Sequence, residues 1–309
     1  MKYVSLSGRF ILYTIGVGYI FLPSRLISTL RYGDVKRENR NLIIAAAAAA
    51  VVFVAAYACI ALYAGSTSPF YTVESGSMMH SENSKVGIID TGDMVIVRAA
   101  SKADIVTYVE GHGSGYKKFG DFGDVILYER PGGAAVIHRA LFYVSYNAGG
   151  TWDVSSLYGY GGSWYLTGYA GGTYCYEVPG GTLSADSLKE VRGVLAFENF
   201  GYDGKGSFIV NLDVLPKVSG YITKGDRNQD PDQSNGISGA AVGADRIIGV
   251  AGKEVPWLGC IKLFVTGNNA DRIPGNSVIL LIATFVLIVA AIFAANFIYE
   301  RYVKKERNG

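Results

Sequence analysis

The chain has 309 residues; half are hydrophobic, 17% are charged, and 28 Lys and Arg stand against 26 Asp and Glu. That length holds one sizeable globular domain with membrane segments, or two small domains, and the composition excludes a disordered chain. The apolar residues are gathered in blocks instead of being spread evenly, so position matters more than the average.

Residues 1–40 are basic, with Lys2, Arg9, Arg25, Arg31, Lys36, Arg37 and Arg40 against Asp34 and Glu38. Within them, FILYTIGVGYIFL (residues 10–22) is apolar but too short to span a bilayer comfortably, and an interfacial position is expected. Residues 41–65 carry no charge, and a helix there spans roughly 36 Å at about 1.5 Å per residue, enough to cross a membrane. Forty residues precede this block, which favours an anchor over a cleaved leader. A second uncharged block, residues 276–298, leads into a basic tail, residues 299–309, with Arg301, Lys304, Lys305 and Arg307. The positive-inside rule then puts both ends in the cytoplasm and the net-acidic residues 66–275 outside.

Residues 66–275 read as short β runs between Gly and Asp turns: MVIVRAA from Met94, DVILYE from Asp124, AVIHRALFYV from Ala135, GVLAFE from Gly193 and RIIGVAG from Arg246. No long helical periodicity interrupts them, so a mainly β domain with two flanking transmembrane α-helices is predicted. A Gly-, Tyr- and Ser-rich stretch, about 146–192, reads as an insertion, either a sticky aromatic face or tyrosine-rich hairpins with glycine turns. Cys59 falls in the first apolar block; Cys175 and Cys260 share the β domain, where a disulfide and two free thiols are both open.

Several polar groups punctuate these runs. Ser75, Gly76, Ser77 and Met78 follow the first apolar block, and alone such a run is an ordinary turn. Gly92-Asp93 and Gly123-Asp124 each open a β run, Ile137-His138-Arg139 lies inside another, and KGDRNQDPD runs from Lys224 to Asp232. In this order the boxes resemble the signal peptidase I family, in its archaeal and endoplasmic-reticulum branch. YKKFGDFGDVILYERPGG (residues 116–133) and IIGVAGKEVPWLG (residues 247–259) extend the likeness, which covers much of residues 66–262. Two features depart from the family pattern: His80 stands where a proline is usual, and the stretch between His138 and Asp226 is much longer.

The resemblance implies a signal-peptidase-like β assembly that cuts leader peptides outside the membrane. It makes Ser77 the nucleophile, His138 the general base and Asp232 the carboxylate that orients the histidine. Asp226, the other catalytic candidate, holds the local turn and network or takes the orienting place itself, and Asp230 is a less well matched substitute for Asp232. The Ser77 N–H and the Ser75 hydroxyl are the oxyanion donors, and apolar pockets around Met78 select small side chains. His80 is a rival base, and His112, in GHGSG, is expected on a surface loop. The scattered His and Cys form no ligand cluster, so neither metal nor cofactor is expected. Expected partners are signal peptides of secretory preproteins, the lipid bilayer and the protein translocation machinery, with no nucleic acid. Two other functions fit the same chain: a non-enzymatic membrane-anchored surface or adhesion protein, and a related membrane serine protease that processes other surface precursors.

Overall fold

The computed structural model describes residues 3–6, 10–15, 18–23, 37–133 and 135–307. The remainder of the basic segment 1–40, and residues 308–309 of the tail, lie outside the described residues. By contact density the chain divides into two units, Met1–Ile60 and Ala61–Gly309.

In the first unit, β1 (Tyr3–Leu6), β2 (Phe10–Ile15) and β3 (Gly18–Pro23) form an antiparallel sheet in sequence order. Of residues 10–22, expected at the interface, 10–15 and 18–22 lie in two paired antiparallel strands; their aromatic and β-branched residues suit that conformation. Helix α1 (Arg37–Ala64) follows. Its run of alanines has the highest intrinsic helix propensity, and Ile43–Ala64 is long and apolar enough to cross a membrane.

The second unit is mainly antiparallel β. Along the chain come β4 (Phe70–Thr72), β5 (Met94–Ala99), the short helix α2 (Tyr108–Ser114), β6 (Lys117–Lys118), β7 (Asp121–Phe122), β8 (Val125–Glu129) and β9 (Ala135–Tyr146). Then follow β10 (Trp152–Asp153), β11 (Ser163–Ala170), β12 (Thr173–Pro179), β13 (Val191–Phe200), β14 (Gly206–Asn211), β15 (Gly220–Lys224) and β16 (Ile247–Val255). Helices α3 (Gly259–Thr266) and α4 (Gly275–Arg307) close the chain, and within α4 Gly275–Tyr299 is the second stretch long and apolar enough to span.

Eleven strands share one hydrogen-bonded sheet in the order β12-β11-β13-β10-β9-β8-β16-β5-β4, with β14 added on β13 and β15 on β9. Strand β9 runs through both lobes. Its first residues pair with β8, its middle with β15, and its end with β10. One lobe, β4, β5, β8, β15 and β16, carries the Ser75-to-Met78 and Lys224-to-Asp232 boxes. The other, β10 to β14, is a satellite sheet over a core of Trp152, Trp164, Leu166, Leu195, Phe197 and Phe208. It extends past residue 192 to β14, so GVLAFE belongs to it and not to the first lobe.

Tyrosines of this region do lie on hairpin strands with glycine turns, and Tyr169, Tyr174 and Tyr176 are exposed there. Tyr165 and Tyr169 lie in β11 and Tyr174 and Tyr176 in β12, whose turn contains Gly171 and Gly172. Cys175 and Cys260 are both free and buried. Inside the satellite sheet, Gly168 faces Gly193 across β11 and β13, both with positive φ (154° and 105°). A Cβ on Gly193 would come within 2.2 Å of the Thr167 carbonyl oxygen. Gly193→Ala is expected to destabilise the chain by about 1–3 kcal/mol in denaturant unfolding, while Gly149→Ala, with nothing within 4 Å of its Cβ, leaves the midpoint unchanged.

Candidate active site

The serine loop, residues 73–93, leaves the sheet after β4 and returns at β5. Its neck is closed by two backbone bonds, Val73 N–H to the Asp93 carbonyl (2.9 Å) and Gly92 N–H to the Val73 carbonyl (3.0 Å). The Asp93 carboxylate secures the neck further, accepting from Asp90 N–H and Trp257 N–H, both at 2.8 Å. Met78 is buried in the core with Val73, Ile89, Val95, Val97, Val125 and Leu127. It therefore anchors the loop from below, while its core neighbours Val73 and Leu127, together with Met94, line the groove. With Met78 turned inward, Ser75 and Ser77 face an open groove.

His138 sits in β9 opposite Ile126 of β8, and is 3% exposed. Its Nε2 lies 2.8 Å from Ser77 Oγ, and its Nδ1 lies 2.9 and 2.8 Å from the two carboxylate oxygens of Asp232. Asp232 is fully buried and also accepts from the Tyr128 and Thr223 hydroxyls, each at 2.7 Å. Burial and the neighbouring Asp232 charge push the Tyr128 hydroxyl well above its ordinary range, so it remains a donor. The structure thus brings Ser77, His138 and Asp232 into one line, from three distant parts of the chain. Such a line can take the serine proton on the imidazole as the oxygen attacks an acyl carbon, with the carboxylate balancing the imidazolium.

Asp226 does something else. Successive side chains of a strand point to opposite faces, so Arg139 turns away from the serine next to His138. Its Nε and Nη2 hold the two oxygens of Asp226 at 2.8 and 2.6 Å, while Nη1 donates to the carbonyls of Lys118, Asp121, Phe122 and Gly123. Burial alone would raise the Asp226 carboxyl, but Arg139 and then His80 outweigh it and hold its pKa at about 2. His80 Nε2 lies 2.8 Å from Asp226, and its ring stacks on Tyr202, from the β13–β14 turn, at 3.9 Å and 7°. The rival base is thus engaged by Asp226 and Tyr202. Asp230 is exposed and has no part in the line.

The loop between β15 and Asp232 brings Asp226 and Asp232 to these different places. It leaves at Lys224 and returns where Asp232 N–H meets the Thr223 carbonyl (2.8 Å). In between, Arg227 N–H donates to the Ser77 carbonyl at 2.8 Å. Lys224 Nζ is buried and donates to the Gly225 and Asn228 carbonyls inside the loop. Gly225 passes so near the site that a Cβ there would lie 2.8 Å from the Ser77 carbonyl oxygen and 2.9 Å from His138 Nε2. Only glycine fits.

For the oxyanion, Ser75 Oγ is 3.2 Å from Ser77 Oγ, and among the described residues nothing accepts from the Ser77 N–H. The Ser75 hydroxyl and the Ser77 N–H thus lie beside Ser77 Oγ. The groove beside them encloses about 910 Å³ and is lined by Thr72, Met94, Leu127, Val136 and Ile137. Two backbone edges face it. Strand β4 ends the sheet, and residues 135–138 of β9 pair with β8 on one side while β15 starts its pairing only at Arg139.

Sequence reading missed Tyr128, Thr223, the His80–Tyr202 stack and the Gly225 approach. Their residue types, in ordinary strand and turn contexts, carry no signal without the fold. His112 lies on α2, not on a loop. A capping box between Thr107 and Glu110 starts that helix in spite of its glycines, and the His112 ring packs against Phe122 and Tyr160. Among the described residues no cluster of His, Cys, Asp or Glu suits a metal ion.

Burial raises Asp93 and Glu254 to about 7, with a like-charge contribution from Asp90. The folded chain then holds protons that the unfolded chain has released above the ordinary carboxylate range, so folding stability falls as pH rises from about 4 to 7. Thermal midpoints are expected to decline over that window. Glu254→Gln is expected to flatten the decline, and an unchanged slope in that variant refutes the assignment. Compared with known proteins, the chain matches no family model and no curated protein, so the geometry of the site carries its functional reading.

Proposed function

We propose that the chain is a membrane-bound signal peptidase of type I, a serine endopeptidase that removes leader peptides from exported preproteins outside the membrane. The observation that carries this reading is the Ser77–His138–Asp232 line at the wall of an open groove, in a chain with two helices able to span. The order of the sequence boxes supports it independently.

In this reading the leader's extended segment adds as a strand between β4 and the start of β9, where backbone groups of both edges hold it. Thr72, Leu127 and Ile137 meet its small side chains near the cut. Ser77 Oγ attacks the carbonyl carbon while His138 Nε2 takes its proton, and the oxyanion is met by the Ser77 N–H and the Ser75 hydroxyl. His138 returns the proton to the leaving amine as the peptide bond breaks, and water then frees the acylated serine by the same steps in reverse order. Asp232 keeps the imidazole in one tautomer throughout. Asp226 acts at a distance, through Arg139, His80 and the loop that carries Gly225 and Arg227. The translocation machinery that delivers the preprotein is the expected partner.

Cleavage of a preprotein by the purified chain in membranes tests the reaction. Ser77→Ala, His138→Ala and Asp232→Ala are each expected to lower kcat by about 10⁴ or more, as is typical of such triads, and Gly225→Ala to be comparably inactive. Full activity in Ser77→Ala removes the enzyme reading. The alternative, a surface or adhesion protein using the exposed tyrosines, expects Ser77 to be dispensable and leaves the fully buried carboxylate on His138 without a purpose.

Topology has its own test in intact cells. Added protease is expected to cut residues 66–275 and spare the basic tail. Protection of the β domain would overturn the orientation.

A further inference from the structure

Helix α3 has two faces of different character. Cys260 and Leu263 are fully buried, and Cys260 Sγ donates to the Gly92 carbonyl at the neck of the serine loop (3.5 Å). Ile261, Phe264 and Val265 are 42%, 51% and 82% exposed. Their spacing of three and four residues puts them on one side of the helix, so the chain presents three large apolar side chains together to its surroundings. Lys262 lies among them and reaches Glu74, which lines the groove (3.1 Å).

Where α3 stands relative to α4 says what covers this face. Only residues 267–274 separate the two helices. The first turn of α4 is fastened to the domain: the Asn276 side chain accepts from Ser84 N–H (3.0 Å) and donates to the Ser84 carbonyl (2.9 Å), and Ser277 is fully buried. Trp257, just before α3, donates its indole N–H to Ser84 Oγ (3.0 Å). The start of a span and the start of α3 thus share one anchoring point. An exposed cation, Arg272, sits in the connection and, like Lys262, lines the groove.

We infer that α3 is an interfacial helix. Ile261, Phe264 and Val265 enter the acyl-chain boundary of the bilayer, Lys262 and Arg272 lie among the headgroups, and the inner face transmits that position to the serine loop through Gly92. The inference rests on α4 as a membrane span. Its consequence for cleavage rests in addition on the proposed peptidase activity. A bilayer-seated α3 holds the groove at the height where a leader leaves the membrane, so a membrane-embedded precursor gains from it and a short soluble peptide does not.

Two measurements on the full-length chain separate these layers. The first places an environment-sensitive fluorophore at Val265→Cys in a Cys59→Ala background, leaving Cys175 and Cys260 in their buried sites. The chain is reconstituted alone in vesicles of phosphatidylcholine and phosphatidylglycerol. Lipids spin-labelled near the headgroup are expected to quench the probe while aqueous iodide does not. Quenching by iodide alone, with no effect of the lipid label, overturns the inference and leaves the face to a protein partner. A probe at Tyr174→Cys on the satellite sheet is expected to behave in the opposite way.

The second measurement compares cleavage by the chain carrying Ile261→Ser, Phe264→Ser and Val265→Ser together. The embedded precursor is expected to be cut about five- to tenfold more slowly, with cutting of a short soluble peptide unchanged. Equal slowing on both substrates overturns the positioning role. If the unaltered chain cuts neither substrate, the peptidase reading fails, while the quenching result still decides where α3 lies.

Discussion

A carboxylate with no exposed surface persists only where donors meet it, and Asp232 shows what that demands of this fold. Its partners come from three strands: His138 on β9, Tyr128 on β8 and Thr223 on β15. Those strands have to be neighbours in register for the group to be satisfied at all. The antiparallel pairing of β8 and β15 on either side of β9 is therefore a precondition of the site and more than a scaffold for it. Losing one hydroxyl donor would leave part of a buried charge unmet, with a cost of the order of 1–3 kcal/mol.

A second buried charge is held in parallel. Arg139 neutralises Asp226 on the opposite face of β9 and ties four carbonyls of the segment before β8 to the loop after β15. His80 joins that network from the serine loop, so the segments that supply Ser77 and Asp232 are also cross-linked behind the Ser77 and His138 side chains. Where the resembled family has a proline, whose ring stiffens the loop covalently, this chain has an aromatic ring clamped between Tyr202 and a carboxylate. The stiffness arises from packing, and it depends on a turn that belongs to the satellite sheet.

Much of the fold was legible in the sequence because its elements obey strong local rules. The two apolar blocks, and the β runs beginning near Met94, Val125, Ala135, Val191 and Ile247, follow from uncharged length and from β-rich runs between Gly and Asp turns. The sheet order was not legible, since nothing local says that β8 lies between β9 and β16. The limits of the satellite sheet are not legible either, because the composition changes near residue 192 while hydrogen bonding continues to β14. In the site, Ser77, His138 and Asp232 were found through the order of their boxes. Tyr128 and Thr223 were not, because a tyrosine and a threonine in strands are the commonest of residues and acquire their role only from a partner about a hundred, or only nine, positions away.

Strand β9 belongs to both lobes at once, and this bears on how separable the two are. A module spliced between β9 and β15 that merely hung from two linkers could be lost again without harm. Here β10 continues the backbone ladder of β9, and the turn between β13 and β14 brings Tyr202 to His80. Excising β10 to β14 would bare a hydrogen-bonding edge and free the imidazole, so the chain around Ser77 cannot shed the satellite sheet without loss.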